Sequence, residues 1–314
     1  EFVPIDLQDK EACAAACQKL KGVTHVVYTA VYELPGLVAG WSDPNQIRTN
    51  GQMLENLLVS LAQSNQLQHV TLLQGTKAYG AMVGPMRVPA RESQLRVEHP
   101  NFYWVQEDFL RDHAKHQHYN ITILRPQMIV GPNHGVVMNL PPVVGVYAAR
   151  RQAEGMPLSF TGGVDRVMEA VDVRWVGDAC LWAAINECAA GETYNLTNGE
   201  VFSWRDLWPA IAQTLDVPLG EDEPLSIAEY VMEREDLWQG IVVRHDLVPN
   251  TLEQIVGESH HYADLCFALG ANDAPPPIFV STVKIHQAGF NQTYNSEASF
   301  CYWLQDLRAR RIIP

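Results

Sequence analysis

The chain has 314 residues, long enough to bury a full hydrophobic core in one large domain or two closely joined ones. An apolar fraction of 47% and a charged fraction of 18% are ordinary for a globular protein. The formal charge of −14, from 36 acidic against 22 basic side chains, repels phosphate backbones and argues against nucleic-acid binding.

No apolar run approaches the roughly 18 residues of a membrane-spanning helix, and no signal-peptide pattern opens the chain. A cytoplasmic protein with no membrane partner is therefore expected. The six cysteines, Cys13, Cys17, Cys180, Cys188, Cys266 and Cys301, form no CxxC or Cys/His metal spacing and read as reduced core residues. No metal site is expected.

In chain order, Phe2–Pro4 is an apolar stub and Glu11–Lys21 an alanine-rich helix. His25–Ala30 reads as a buried strand, and Gln46–Gln63 as a helix with Ile47, Met53, Leu54, Leu57, Leu58 and Leu61 on its apolar side. His69–Leu73 is the next strand, Asn101–His116 a helix and Ile121–Leu124 a further strand. This alternation means βαβ units and a parallel sheet, so an α/β fold with a Rossmann-type doubly wound parallel sheet is predicted. Beyond Gly131 the pattern loosens, with Pro141-Pro142, Gly162-Gly163 and several tryptophans, as in a smaller mixed α/β region that shapes a substrate pocket. The predicted division is residues 1–135 for nucleotide binding and 136–314 mainly for substrate, with segments returning to the sheet. Residues 219–236, acidic and helical in pattern, read as a solvated helix face.

A sheet of this kind opens with a strand, a glycine-rich turn and a helix whose N-terminus holds a pyrophosphate. No GxGxxG or GxxGxxG pattern occurs in the sequence. The chain is expected to enter at the third strand, Phe2–Pro4, with Asp6 and Leu7 at its end facing an adenine. Either one βαβ unit, about 50 residues with its connections, precedes Glu1, or the phosphate cradle is absent altogether. The first is favoured, because a third strand without strands one and two would have nothing to pair with.

Five strings occur in order: Leu72–Gly80 (LLQGTKAYG), Pro100–Leu110 (PNFYWVQEDFL), Leu124–Gly131 (LRPQMIVG), Met138–Leu140 with Val146–Ala149, and Tyr194–Gly199 followed by Val201–Trp204. Together they resemble the progesterone 5β-reductase and iridoid synthase-like (PRISE) family of extended short-chain dehydrogenases/reductases, over essentially the whole chain. The resemblance implies an NADPH-dependent reductase of the C=C bond of an enone or enal in a small hydrophobic, terpenoid-like carbonyl substrate. It also implies a catalytic lysine and tyrosine. Lys77 matches the lysine, which also supports the cofactor ribose, but Trp104 stands where the family has its tyrosine. Tyr103 precedes it, about 100° away around a helix. Thr29 and Ala30, small residues at a strand end, would let a nicotinamide approach, and Pro126, Met128 and Ile129 would line its other side. Tyr103, Trp104, Met138 and Asn139 would face substrate.

An indole N–H donates a hydrogen bond but has no usable acidity. Trp104 can therefore stabilise an enolate oxygen, by an amount on the order of 3 kcal/mol for one donor, without acting as an acid. Conjugate reduction tolerates this better than ketone reduction, whose alkoxide needs a proton at once. The mechanism requires Trp104 and the Lys77 amine to point into one pocket. Two other functions stay open: a non-redox isomerase or cyclase on the same scaffold, and a non-catalytic binding protein. Oligomeric state is open too, with a homodimer among the options. Asn195, Asn198 and Gly199 read as turn and strand determinants, and the histidines His113, His116 and His118 as solvent-facing.

Overall fold

The computed structural model describes residues 2–34 and 39–314. Its elements begin with helix α1 (Lys10–Cys17), strand β1 (His25–Tyr28), α2 (Pro44–Ala62), β2 (His69–Leu73), α3 (Phe102–Gln117) and β3 (Asn120–Pro126). They continue with β4 (Met128–Val130), α4 (Leu140–Ala153), β5 (Val167–Met168), β6 (Ala170–Asp172), α5 (Val173–Ile185), β7 (Thr193–Leu196) and β8 (Phe202–Ser203). Helices follow: α6 (Trp204–Thr214), α7 (Ile227–Met232), α8 (Glu235–Arg244), α9 (Leu252–Val256), α10 (Ser259–Cys266), α11 (Val283–Gln287) and α12 (Ser296–Ala309). No helix of the described residues is long and apolar enough to cross a membrane.

Two compact units result. The first comprises Glu1–Gln127, Val176–Leu196 and Val280–Asn291, the second Met128–Trp175, Thr197–Phe279 and Gln292–Pro314. In the first, a parallel sheet runs in the order β1-β2-β3-β7. Val70 pairs with Val26 on one side and Ile121 on the other, so one face carries Val26, Val70, Leu72, Ile121 and Ile123 in line. Leu54, Leu58 and Leu61 of α2, with Leu110 and Ala114 of α3, close over that face. On the other face Thr122 donates to the Ala189 carbonyl, and Trp182 of α5 packs on Tyr194 and Phe290. Burial on both faces explains why β2 and β3 read as unbroken apolar runs. The predicted α/β class and parallel sheet are observed.

The α2 helix also buries polar side chains that an apolar-stripe reading overlooks. Asn50 holds both the N–H and the carbonyl of Tyr32, Gln46 accepts from the Leu34 N–H, and Asn56 donates to the Leu7 carbonyl. These amides satisfy loop backbone that would otherwise lie buried without partners.

In the second unit, α4, α6, α10 and α12 enclose a core in which Trp204 and Trp208 pack edge-on against Phe267. A Cβ on Gly145 would lie 2.6 Å from Ile313, so the absence of a side chain there lets the chain's last residues seat on α4.

Several expectations are corrected. Phe2–Pro4 forms no strand: Phe2 is 89% exposed, and no described strand lies beyond β1 to pair with that segment. The strand expected at His25–Ala30 stops at Tyr28, and as the outer strand of the described sheet it leaves Val27 48% exposed. Residues 219–226 are not helical, and α7 is amphipathic, burying Ile227 and Val231 while leaving Glu229 exposed. Cys188 is exposed, whereas Cys13, Cys17, Cys180 and Cys266 are buried as read. His113 stacks on Phe109 and hydrogen-bonds the Tyr119 hydroxyl, so it is not solvent-facing.

Replacing Ile123, which is fully buried, with alanine removes a side chain from the middle of the sheet and is expected to cost about 3 kcal/mol. The same truncation at exposed Val27 should cost less than about 0.5 kcal/mol. Urea unfolding of both variants beside the parent chain measures the contrast.

Candidate functional site

The site residues of the first unit lie where its strands end. Thr29 is exposed and Ala30 half-buried just past β1, and Gly75 and the single turn Thr76–Tyr79 follow β2. A side chain on Gly75 would come within 3.3 Å of the Tyr103 hydroxyl and 3.6 Å of the Pro126 carbonyl.

The turn carries Lys77 away from solvent. Its Nζ lies 3.0 Å from the centre of the Trp41 ring, which packs on Phe102 at 4.8 Å and edge-on to Tyr103 at 5.5 Å. Burial pushes the Lys77 pKa down to about 7, against the opposing pull of Glu33. Burial likewise pushes the Tyr103 hydroxyl far up, and Glu33 adds to that shift while Arg125 opposes it. Glu33 thus acts on both Lys77 and Tyr103.

Helix α3 starts where the sequence indicates. Asn101 caps it, its side chain accepting from the Tyr103 N–H at 3.0 Å. One turn on, Glu107 is buried among three guanidiniums: Arg111 at 2.9 Å, Arg96 at 3.3 Å and Arg125 at 3.5 Å. Gln74 joins it, donating to Glu107 and accepting from the Arg125 Nε. Burial alone would raise the carboxyl's pKa, but the arginines outweigh it and hold the group below its ordinary value.

Trp104 occupies the neighbouring face of α3. The Arg96 guanidinium lies 4.8 Å and that of Arg125 5.9 Å from its ring, with His99 edge-on. Its indole N–H is buried and meets no acceptor. Such a donor costs about 1–3 kcal/mol unless something satisfies it. Lys77 and Trp104 therefore border one aromatic cluster, formed by Trp41, Phe102 and Tyr103 with Ala78, yet they have different charged and ring partners.

Asp6 is exposed and closes a turn by accepting from the Gln8 N–H, and Leu7 packs under α2 and β1. Pro126 ends β3, whereas Met128 and Ile129 belong to β4 of the second unit, paired with β6. Also in that unit, Asn139 latches its own loop: its amide donates to the Gly131 and Asn133 carbonyls and its N–H to Ser259, while its carbonyl oxygen is buried without a partner. Met138 stands beside it, half-buried. Asn195 is structural as read, accepting from the Tyr79 hydroxyl and donating to the Ala90 and Ser281 carbonyls. Asn198 holds the Asp172 N–H and Ser296. No group of metal-ligating side chains occurs among the described residues.

The sequence reading passed over Trp41, Glu33 and the arginine set around Glu107. The only local signal for Trp41 is an isolated aromatic residue just before the Asp43-Pro44 helix start. Arg96 lies in a loop with no periodicity to betray it.

A family profile described as PRISE-like Rossmann-fold domain matches residues 8–314. Among curated relatives, an (S)-8-oxocitronellyl enol synthase of Catharanthus roseus is 27% identical over 328 residues, spanning 100% of this chain and 80% of its own. A 3-oxo-Delta(4,5)-steroid 5-beta-reductase of Arabidopsis thaliana is 28% identical, spanning 100% and 81%. Among solved structures, RMD from Pseudomonas aeruginosa complexed with NADPH superposes with a TM-score of 0.68 at 17% identity, covering 98% of this chain and 87% of that one. At that identity the likeness speaks for the fold.

Replacing Glu107 with glutamine leaves Arg125 buried without its counter-charge and should cost about 3 kcal/mol at neutral pH. Because the folded chain holds Glu107 below its ordinary pKa of 4.5, its contribution is complete above that value and is lost as pH falls through the folded value. The difference between parent and variant in urea unfolding should therefore shrink in acid.

Proposed function

The chain belongs to the PRISE-like Rossmann-fold family, and on that premise we propose that it reduces the activated C=C bond of an enone or enal in a small hydrophobic, terpenoid-like substrate, using NADPH. It is an oxidoreductase of the short-chain dehydrogenase type with a nicotinamide cofactor. Named functions of the relatives support the finer reading, since one acts as an oxocitronellyl enol synthase and another as a Δ4-steroid reductase.

The observation that carries the proposal is the buried, unpartnered indole N–H of Trp104 beside Arg96 and Arg125. NADPH, when bound, would supply a hydride for the β-carbon. Trp104 then donates to the carbonyl oxygen as it becomes an enolate, and the nearby guanidiniums favour that negative charge. With no acidity in the indole, the α-carbon takes its proton from water. Within the first unit, Lys77 supports the cofactor ribose, Thr29, Ala30 and Pro126 line the nicotinamide, Asp6 faces the adenine and Tyr103 bounds the substrate.

Consumption of NADPH on adding an α,β-unsaturated aldehyde or ketone, followed by absorbance, tests this. Trp104→Phe removes the donor and should lower kcat about 100-fold with the ring retained. Lys77→Ala should abolish turnover. Product formation without any nucleotide would contradict the proposal and establish isomerase or cyclase chemistry.

A further inference from the structure

We propose that Trp41 is the positioning residue for Lys77: its ring face fixes the amine beside the aromatic cluster and stabilises the charged ammonium there. The geometry is direct. Nζ lies 3.0 Å from the ring centre, well inside the ~6 Å range over which a cation is held by an aromatic face. The ring is itself held in place, tilted against Phe102 and edge-on to Tyr103, both buried on α3. A lysine tail is otherwise a flexible four-carbon chain, and a fixed ring face gives its amine one preferred resting point.

The charge balance at this point is narrow. Burial disfavours the ammonium, and Glu33, in the segment after β1, is the acidic group that supports it. Tyr103 on α3 feels Glu33 as well and answers to Arg125 on β3. Against the desolvation, a tryptophan face adds attraction for the cation alone, so removing it should release a proton more readily. If Lys77 serves the cofactor as proposed above, Trp41 helps decide what fraction of the chain carries that charge near neutral pH. The consequence for catalysis rests on that reading, but the charge effect itself does not.

The test therefore uses the protein without cofactor or substrate. Trace acetylation with acetic anhydride, read at each of the six lysines by mass spectrometry across a pH series, gives the midpoint of Lys77. The parent amine should titrate near 7. Trp41→Leu should lower that midpoint by about one pH unit, a tenfold change in the protonation equilibrium, and Trp41→Phe, with its weaker ring, should fall between. Should the leucine variant fail to fold, the phenylalanine variant decides alone. A midpoint unmoved or raised in a folded variant would overturn the proposal and leave Trp41 a packing residue. A shifted midpoint in a chain that never consumes NADPH would uphold this inference while sinking the reductase reading.

Discussion

A carboxylate cannot be buried without compensation, and Glu107 is the carboxylate around which the first unit's site is arranged. Its ion pairs reach Arg125 on β3, Arg111 on α3 itself and Arg96 in the loop before the helix, and Gln74 ties the same group to the end of β2. Those contacts fix both the height and the rotation of α3 above the sheet. Once the helix is phased by Glu107 and capped by Asn101, the orientations of Tyr103 and Trp104 follow from helical geometry.

That phase sends two adjacent aromatic side chains into different surroundings. Tyr103 turns inward onto Trp41 and shares the field of Glu33 with Lys77, and burial holds its phenol firmly protonated. Trp104 turns toward two guanidiniums with an N–H that has nothing to bind. A buried donor without an acceptor, beside two ion-paired guanidiniums, suits an oxygen that gains charge during reaction better than a neutral ground state. In the proposed reaction, this arrangement would stabilise an enolate and would be poorly equipped to deliver a proton.

Elements with period and burial in agreement were legible from sequence alone. The strand His69–Leu73 and the helices over α2 and α3 announce themselves because their apolar residues repeat at the spacing that the fold uses. Lys77 and Trp104 were legible only through the family resemblance, since neither carries a spacing of its own. Illegible were features set by contacts distant in sequence. Val27 looks like a core residue in a strand string until the sheet order puts β1 outermost in the described sheet. The α2 amides look like a polar face until Asn50 and Gln46 take up the backbone of Tyr32 and Leu34. Trp41 and Arg96 come from aperiodic loops, where pattern has no purchase. The acidic stretch at 219–236 misled because its charges suggested a solvated helix, whereas the buried Ile227 and Val231 decide where α7 begins and what it packs on.

The orphaned donor can be watched directly. In a 15N-labelled chain each of the eight tryptophans contributes one indole N–H resonance, and Trp104→Phe identifies the relevant one. On adding NADP+ together with a phenol that mimics an enolate oxygen, that resonance should move strongly downfield as the N–H acquires an acceptor. If it stays in place while the phenol demonstrably binds, Trp104 does not receive the reacting oxygen.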